Sequence, residues 1–191
     1  TRAALMTGRY SHRVGVWHTV MGYDWLDTNE VTMGEVFKAN GYRTGVFGKW
    51  HLGSNFPFRP QDQGFDACLS ERGVPGTVPC WWGNRRWDDV YLRQMSTPER
   101  RTGFATDVYF DEAMEFIKGC DGEPFFVYLA TSVPHRPHNT PKSWAAPYLS
   151  QGLSSNMAYY YASIERVDWN LGRLRGFLDA NQLAKNTILV F

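Results

Sequence analysis

No stretch of this chain could serve as a membrane helix: its longest apolar run, Phe125–Ala130, is strand-sized, whereas a spanning helix needs about 20 apolar residues. Lysine is scarce, five against fifteen arginines, and the 20 basic residues against 19 acidic ones leave a net charge of +1. A balance so close to neutral argues against a general nucleic-acid binder. Cysteine is scarce as well. Cys68, Cys80 and Cys120 stand at no metal-ligand spacing, and an odd number cannot all pair within the chain, so they fix no redox compartment. There is no Asn-x-Ser/Thr acceptor, no signal peptide, no internal repeat and no low-complexity segment. Gly 18 and Pro 10 are ordinary, aperiodic counts, which excludes collagen and disorder. Thr1 opens without an initiator Met and Phe191 closes an unfinished apolar run, so the chain reads as an internal fragment truncated at both ends.

What is present suits a packed domain. The 191 residues are 43% hydrophobic and 20% charged, enough for one core. The arginine excess suits planar recognition of carboxylate, phosphate or sulfate, although genomic bias produces the same excess. Aromatic content reaches 16%, with eight Trp, a composition shared by sugar or aryl sites and by ordinary cores.

Periodicity orders the elements. Arg2–Thr7 reads as a helix stopped by Gly8, and Thr32-Met33-Gly34-Glu35 has capping-box form ahead of a helix running to Asn40. Tyr42–Phe47 reads as a buried strand leading into Gly48-Lys49-Trp50-His51-Leu52-Gly53. Residues 54–101 form an irregular Trp/Arg-rich excursion, long enough to carry function or to pair locally. A helix follows from Thr106 to Gly119, with Tyr109, Phe110, Ala113, Phe116 and Ile117 at helical spacing. Phe125–Ala130 is expected as a central strand feeding Pro134-His135-Arg136-Pro137-His138, whose prolines forbid regular structure. Met157, Tyr160, Ile164, Val167, Leu171, Leu174 and Leu178 mark a long amphipathic helix, and Thr187–Phe191 the start of another buried strand. Helices alternating with apolar strands make the fold α/β, with a largely parallel sheet flanked by helices.

In such sheets ligands bind beyond the carboxyl ends of the strands. Lys49/His51 and His135/His138 each follow a predicted strand immediately, so neighbouring strands would bring them to one site. Stock motifs fail elsewhere. Gly48-Lys49 lacks the phosphate-loop spacing, since Arg43 stands where Gly is needed and Trp50 replaces Ser/Thr, and neither G-x-G-x-x-G nor G-x-S-x-G occurs. His135 and His138 lack the helical spacing of a zinc pair. A lone His of this kind more often bonds backbone in a loop. Arg2, Lys49, His51 and His135 together, however, offer fixed positive charge and titratable imidazoles, a set that fits an oxyanion ester whose departing alcohol must be protonated. A nucleophile is missing: Ser11, Ser54, Thr131 and Ser132 qualify by type alone.

These segments resemble the type I sulfatases of the alkaline-phosphatase-like superfamily. Thr1-Arg2-Ala3-Ala4-Leu5-Met6-Thr7-Gly8-Arg9 resembles the back of their first signature, and Gly41-Tyr42-Arg43-Thr44-Gly45-Val46-Phe47-Gly48-Lys49-Trp50-His51-Leu52-Gly53 their second. Pro134-His135-Arg136-Pro137 is similar to the family's Pro-His-x-Pro segment, and Tyr161–Glu165, Asp168 and Gly172-Arg173 to the helix before its second metal-ligand strand. The resemblance implies an incomplete alkaline-phosphatase-like fold, residues 1–191 being part of a sulfatase catalytic domain, and hydrolysis of aryl or carbohydrate sulfates. It implies a formylglycine nucleophile just upstream of Thr1, made by a maturation enzyme, and Ca2+ whose ligands lie outside this chain, so that the fragment alone is expected to be inactive. By the same resemblance Arg2 neutralises charge beside the nucleophile, Lys49 binds sulfate and the nucleophile oxygen, His51 takes a proton, and His135 binds sulfate and protonates the leaving alcohol. His138, Trp82 and Arg85 are further candidates for substrate binding, with Trp17 and His18 at the rim. A periplasmic or secreted location is expected from the resemblance. The alternatives are a phosphoester or phosphonate hydrolase on the same scaffold and a non-catalytic glycan-binding relative.

Overall fold

A computed structural model describes residues 1–19, 23–71, 87, 88 and 90–191. They fall into two compact units, Thr1–Thr131 and Ser132–Phe191.

The first unit is built on a five-stranded sheet. Its strands are β1 (Arg43–Gly48), β2 (Ala67–Glu71), β3 (Val90–Arg93), β4 (Thr97–Arg100) and β5 (Phe125–Ala130), in the order β4-β3-β2-β1-β5. β1 lies parallel to both β2 and β5, with Val46 opposite Cys68 on one side and Tyr128 on the other. A strand flanked on both edges and covered on both faces reads as a nearly continuous apolar run, which is why Thr44–Gly48 are all buried. The β3–β4 hairpin extends the sheet in antiparallel sense from β2. The excursion read as irregular therefore contributes three of the five strands. Their short length and interleaved charges hide the period: Arg93 alone pairs with Glu99 and with Glu112 across to the helix behind. β5, expected in the centre, lies at the edge of the order among the described residues.

Successive side chains of β1 point to opposite faces and so build two cores. Phe47 enters one with Leu69, Tyr91 and the apolar stripe Ala105, Val108, Tyr109 and Ala113 of α3 (Ala105–Lys118). Val46 faces the other, made with Cys68, Trp50, Leu52, Phe65, Leu26 and the Ala3 and Met6 of α1 (Arg2–Thr7). Burial there pushes the Cys68 thiol up to about 12, making it a small hydrophobe rather than a nucleophile.

α2 (Met33–Ala39) starts as its capping box predicts. Glu35 N–H donates to Thr32 Oγ1 at 3.2 Å, and Thr32 N–H donates to Glu35 Oε2 at 2.8 Å. The buried Thr32 hydroxyl also donates to the Gln63 carbonyl at 2.8 Å, tying the helix to the turn before β2. Thr32→Ala removes both bonds and is expected to cost about 1–2 kcal/mol of stability, read from the denaturant midpoint. Asp66 holds the register of β1 and β2. Burial disfavours its charge, but Lys38 at 2.7 Å and the Thr44 N–H and hydroxyl, each at 3.0 Å, outweigh that and keep its carboxyl below the usual range.

The second unit pairs α4 (Lys142–Ser150) with α5 (Ser155–Ala180). Their contact is made by small residues, Ala145 against Ala158 and Ala162, ringed by Trp144, Tyr148, Leu149 and Tyr159. The Arg166 guanidinium lies 4.3 Å from the Trp144 ring centre and 3.6 Å from that of Trp169. The expected α5 face is only partly the buried one: Leu174 and Leu178 are inside, whereas Met157 and Ile164 are exposed. Thr187–Phe191, expected as a buried strand, forms none; Ile188 is 92% and Phe191 96% exposed. An apolar run becomes a strand only where a neighbouring edge takes its backbone groups, and no described strand does so here.

Candidate active site

The adjacent parallel strands β1 and β5 end level with each other, Gly48 opposite Ala130, and the Lys49 N–H donates to the Ala130 carbonyl at 2.8 Å. Lys49 and His51 therefore leave the sheet at its carboxyl edge, as the strand-then-loop pattern predicts. Alternation in the loop decides which side chains remain available. Trp50 and Leu52 turn inward and are fully buried, the Trp50 indole N–H donating to the Phe58 carbonyl at 2.9 Å. The Leu52 carbonyl accepts from the Leu26 N–H at 3.1 Å. Lys49, just before these anchors, and His51, between them, are partly exposed. His51 has φ 63, a left-handed conformation that costs a residue with a Cβ about 1–2 kcal/mol, so the inward anchors on either side hold it there.

The His51 ring is oriented from behind. Its Nε2 lies 2.9 Å from the Thr19 carbonyl oxygen. A carbonyl can only accept, so the neutral ring carries its proton on Nε2, which makes Nδ1 its acceptor nitrogen. Asp24 Oδ2 stands 4.0 Å from the same nitrogen, with the Asp24 side chain 2% exposed and that of His51 12%. Nothing in the sequence marks Asp24, because it reaches His51 only through the tertiary pairing of Leu26 with Leu52.

Arg2 belongs to α1, whose Ala3 and Met6 share a core with Trp50 and Leu52. Its Nε is buried and finds no hydrogen-bond partner among the described residues. A buried guanidinium nitrogen without a protein acceptor suits an oxyanion from outside.

His135 and His138 lie in the second unit. His135 Nδ1 is 2.7 Å from the Arg136 carbonyl, so the neutral ring is protonated there and Nε2 is its acceptor nitrogen. His138 Nε2 donates to the Pro134 carbonyl at 3.0 Å, and its ring meets Tyr160 edge-on at 5.4 Å. His138, expected at the substrate, thus has one ring nitrogen engaged in bracing the loop that carries His135. Trp82 and Arg85 lie outside the described residues. Among the described residues no three His, Cys, Asp or Glu side chains gather as a metal would require, and no helix is long and apolar enough to cross a membrane.

An oriented imidazole and a lysine two residues apart at a sheet edge can bind an anion and move a proton. Comparison with known proteins names the family. YdeN of Escherichia coli (strain K12), an uncharacterised sulfatase, is 29% identical over all of this chain and 37% of its own length. Arylsulfatase G of Rattus norvegicus is 31% identical over all of this chain and 40% of its own. The chain thus spans about two fifths of the length of these relatives. Among solved structures, Ps i-CgsB superposes with a TM-score of 0.80 at 24% identity, covering 95% of this chain and 44% of that one. BT4656, in complex with its substrate D-glucosamine-2-N,6-O-disulfate, superposes with a TM-score of 0.71 at 19% identity, covering 97% and 53%. At these identities the two structures speak for the fold. The Sulfatase family model matches residues 1–191, and the chain belongs to the sulfatase family.

Proposed function

We propose that this chain is the part of a sulfate-ester hydrolase that grips the sulfate and handles its protons, with carbohydrate sulfates as substrates. The observation that carries this reading is the Lys49–His51 loop, whose cation and oriented imidazole stand at the carboxyl edge of β1. Carbohydrate sulfates are favoured by the glucosamine disulfate bound in a protein of the same fold.

The partnerless Nε of Arg2 fits a site that receives negative charge beside α1. A formylglycine there, carried elsewhere in the protein and made by a maturation enzyme, supplies the attacking oxygen. The described residues do not provide a carboxylate cluster for calcium. By the family resemblance we place the calcium ligands outside this chain, and no step below runs through the ion.

Lys49 binds non-bridging sulfate oxygens as a compact point charge, and Arg2 adds a planar donor set. His51 accepts a proton at Nδ1, the basic nitrogen of the tautomer that its bond to Thr19 selects. His135, its Nδ1–H held by Arg136, donates from Nε2 to the departing alcohol oxygen when the ring is an imidazolium, and is left as the neutral Nδ1–H tautomer.

The test is sulfate release from a glucosamine sulfate by the full-length, formylglycine-bearing protein; absence of release at full formylglycine content would overturn the reading. His135→Ala should lower kcat on carbohydrate sulfates by about 10²-fold or more, since an alkoxide leaves poorly without a proton. On para-nitrophenyl sulfate, whose leaving group needs none, the loss should be far smaller. Equal losses on both would reduce His135 to sulfate binding.

A further inference from the structure

We propose that Asp24 is a positioning residue for His51, a buried counter-charge that favours the ring once it has taken up its proton. The inference rests on the function proposed above and extends it to a residue outside the matched signatures.

The geometry separates two roles behind the ring. At 2.9 Å the Thr19 carbonyl makes the hydrogen bond that orients the neutral imidazole. At 4.0 Å the Asp24 carboxylate is beyond hydrogen-bond length and acts by its field. Its effect is therefore small while His51 is neutral and large when it is a cation. Both side chains are shielded from water, where a Coulomb interaction is screened less than at the surface. Burying a carboxylate carries a desolvation cost that a nearby cation offsets. The position is also built: Leu26, two residues on, is fully buried and bonded to the Leu52 backbone, which locks the segment carrying Asp24 to the one carrying His51.

The charged groups on the surrounding elements are Asp24, Lys49 on the loop itself, His18 beside Thr19, and Arg2 on α1. Among the described residues, Asp24 is the acid that lies within ion-pair distance of the His51 ring. Asp27 and Glu30 on its own segment are turned to Asn29 and Arg9. Lys49, two residues from His51 and assigned to sulfate above, opposes protonation of the ring, and Asp24 counteracts it.

The test uses the full-length protein with isotope-labelled histidine and aspartate, following the His51 ring by NMR as pH is varied. In Asp24→Asn the His51 midpoint should fall by about one pH unit or more, a tenfold loss of proton affinity. With a glucosamine sulfate, kcat should fall about tenfold with KM little changed, and the pH profile should shift in the same direction. An unmoved His51 midpoint in folded Asp24→Asn would overturn the proposal. So would a wild-type Asp24 carboxyl resonance with no inflection at the pH where His51 titrates, a reading that stands even if the variant does not fold. Neither measurement needs turnover. A coupled titration in a protein that releases no sulfate would overturn the proposed function and leave the pairing standing.

Discussion

Lys49→Arg in the full-length protein should lose as much kcat as Lys49→Met, on the order of 10²-fold or more, the scale for one preorganised donor lost from a transition state. Charge alone is not what the position supplies. In the role proposed for it, the ammonium reaches sulfate and nucleophile oxygens as a point, whereas a guanidinium is a planar fork with a different reach. The backbone cannot shift to accommodate the change. Lys49 N–H is bound to Ala130, and the next residue, Trp50, is buried with its indole bonded to Phe58. The decisive measurement is kcat of both variants at matched formylglycine content, because poor maturation imitates a catalytic defect. Were Lys49 only a tie for the loop, both variants would turn over near wild type and only their melting temperatures would move.

Gly48→Ala should be the most destabilising single-methyl change near the site, by about 3–5 kcal/mol, the sum of backbone strain and overpacking. Gly48 has φ 118, and an added Cβ would lie 2.1 Å from the Ala130 carbonyl oxygen. That oxygen accepts from Lys49 and belongs to the paired strand β5, so it cannot retreat without breaking the β1–β5 ladder at its carboxyl end. Gly172→Ala is the control. It lies within α5 with nothing within 4 Å of the new methyl, and should stabilise by about 0.5–1 kcal/mol. Denaturant midpoints moving in opposite directions would establish the contrast. A Gly48→Ala protein as stable as wild type would mean that the junction yields.

What the amino-acid sequence determined by itself was everything carried by neighbouring residues. The capping box of Thr32 and Glu35, the helical stripe of α3 and the apolar runs of β1 and β5 are short-range patterns whose periods match their elements. Lys49 and His51 were legible for the same reason, being the polar residues that follow a buried strand. Tertiary structure decided whatever depends on a distant partner. β3 and β4 are four residues each and exist through their pairing, so no local period announced them. Thr187–Phe191 has the composition of a strand and forms none here, because no described strand takes up its backbone groups. The buried face of α5 was misread because close helix contact there is made by alanines, which hydrophobic periodicity underweights against Met157 and Ile164. The tautomer of His51 depends on a carbonyl at Thr19, and its counter-charge on an aspartate brought near by one backbone bond between Leu26 and Leu52. Residue type supplies an imidazole; only the fold chooses which of its nitrogens carries the proton and which accepts one.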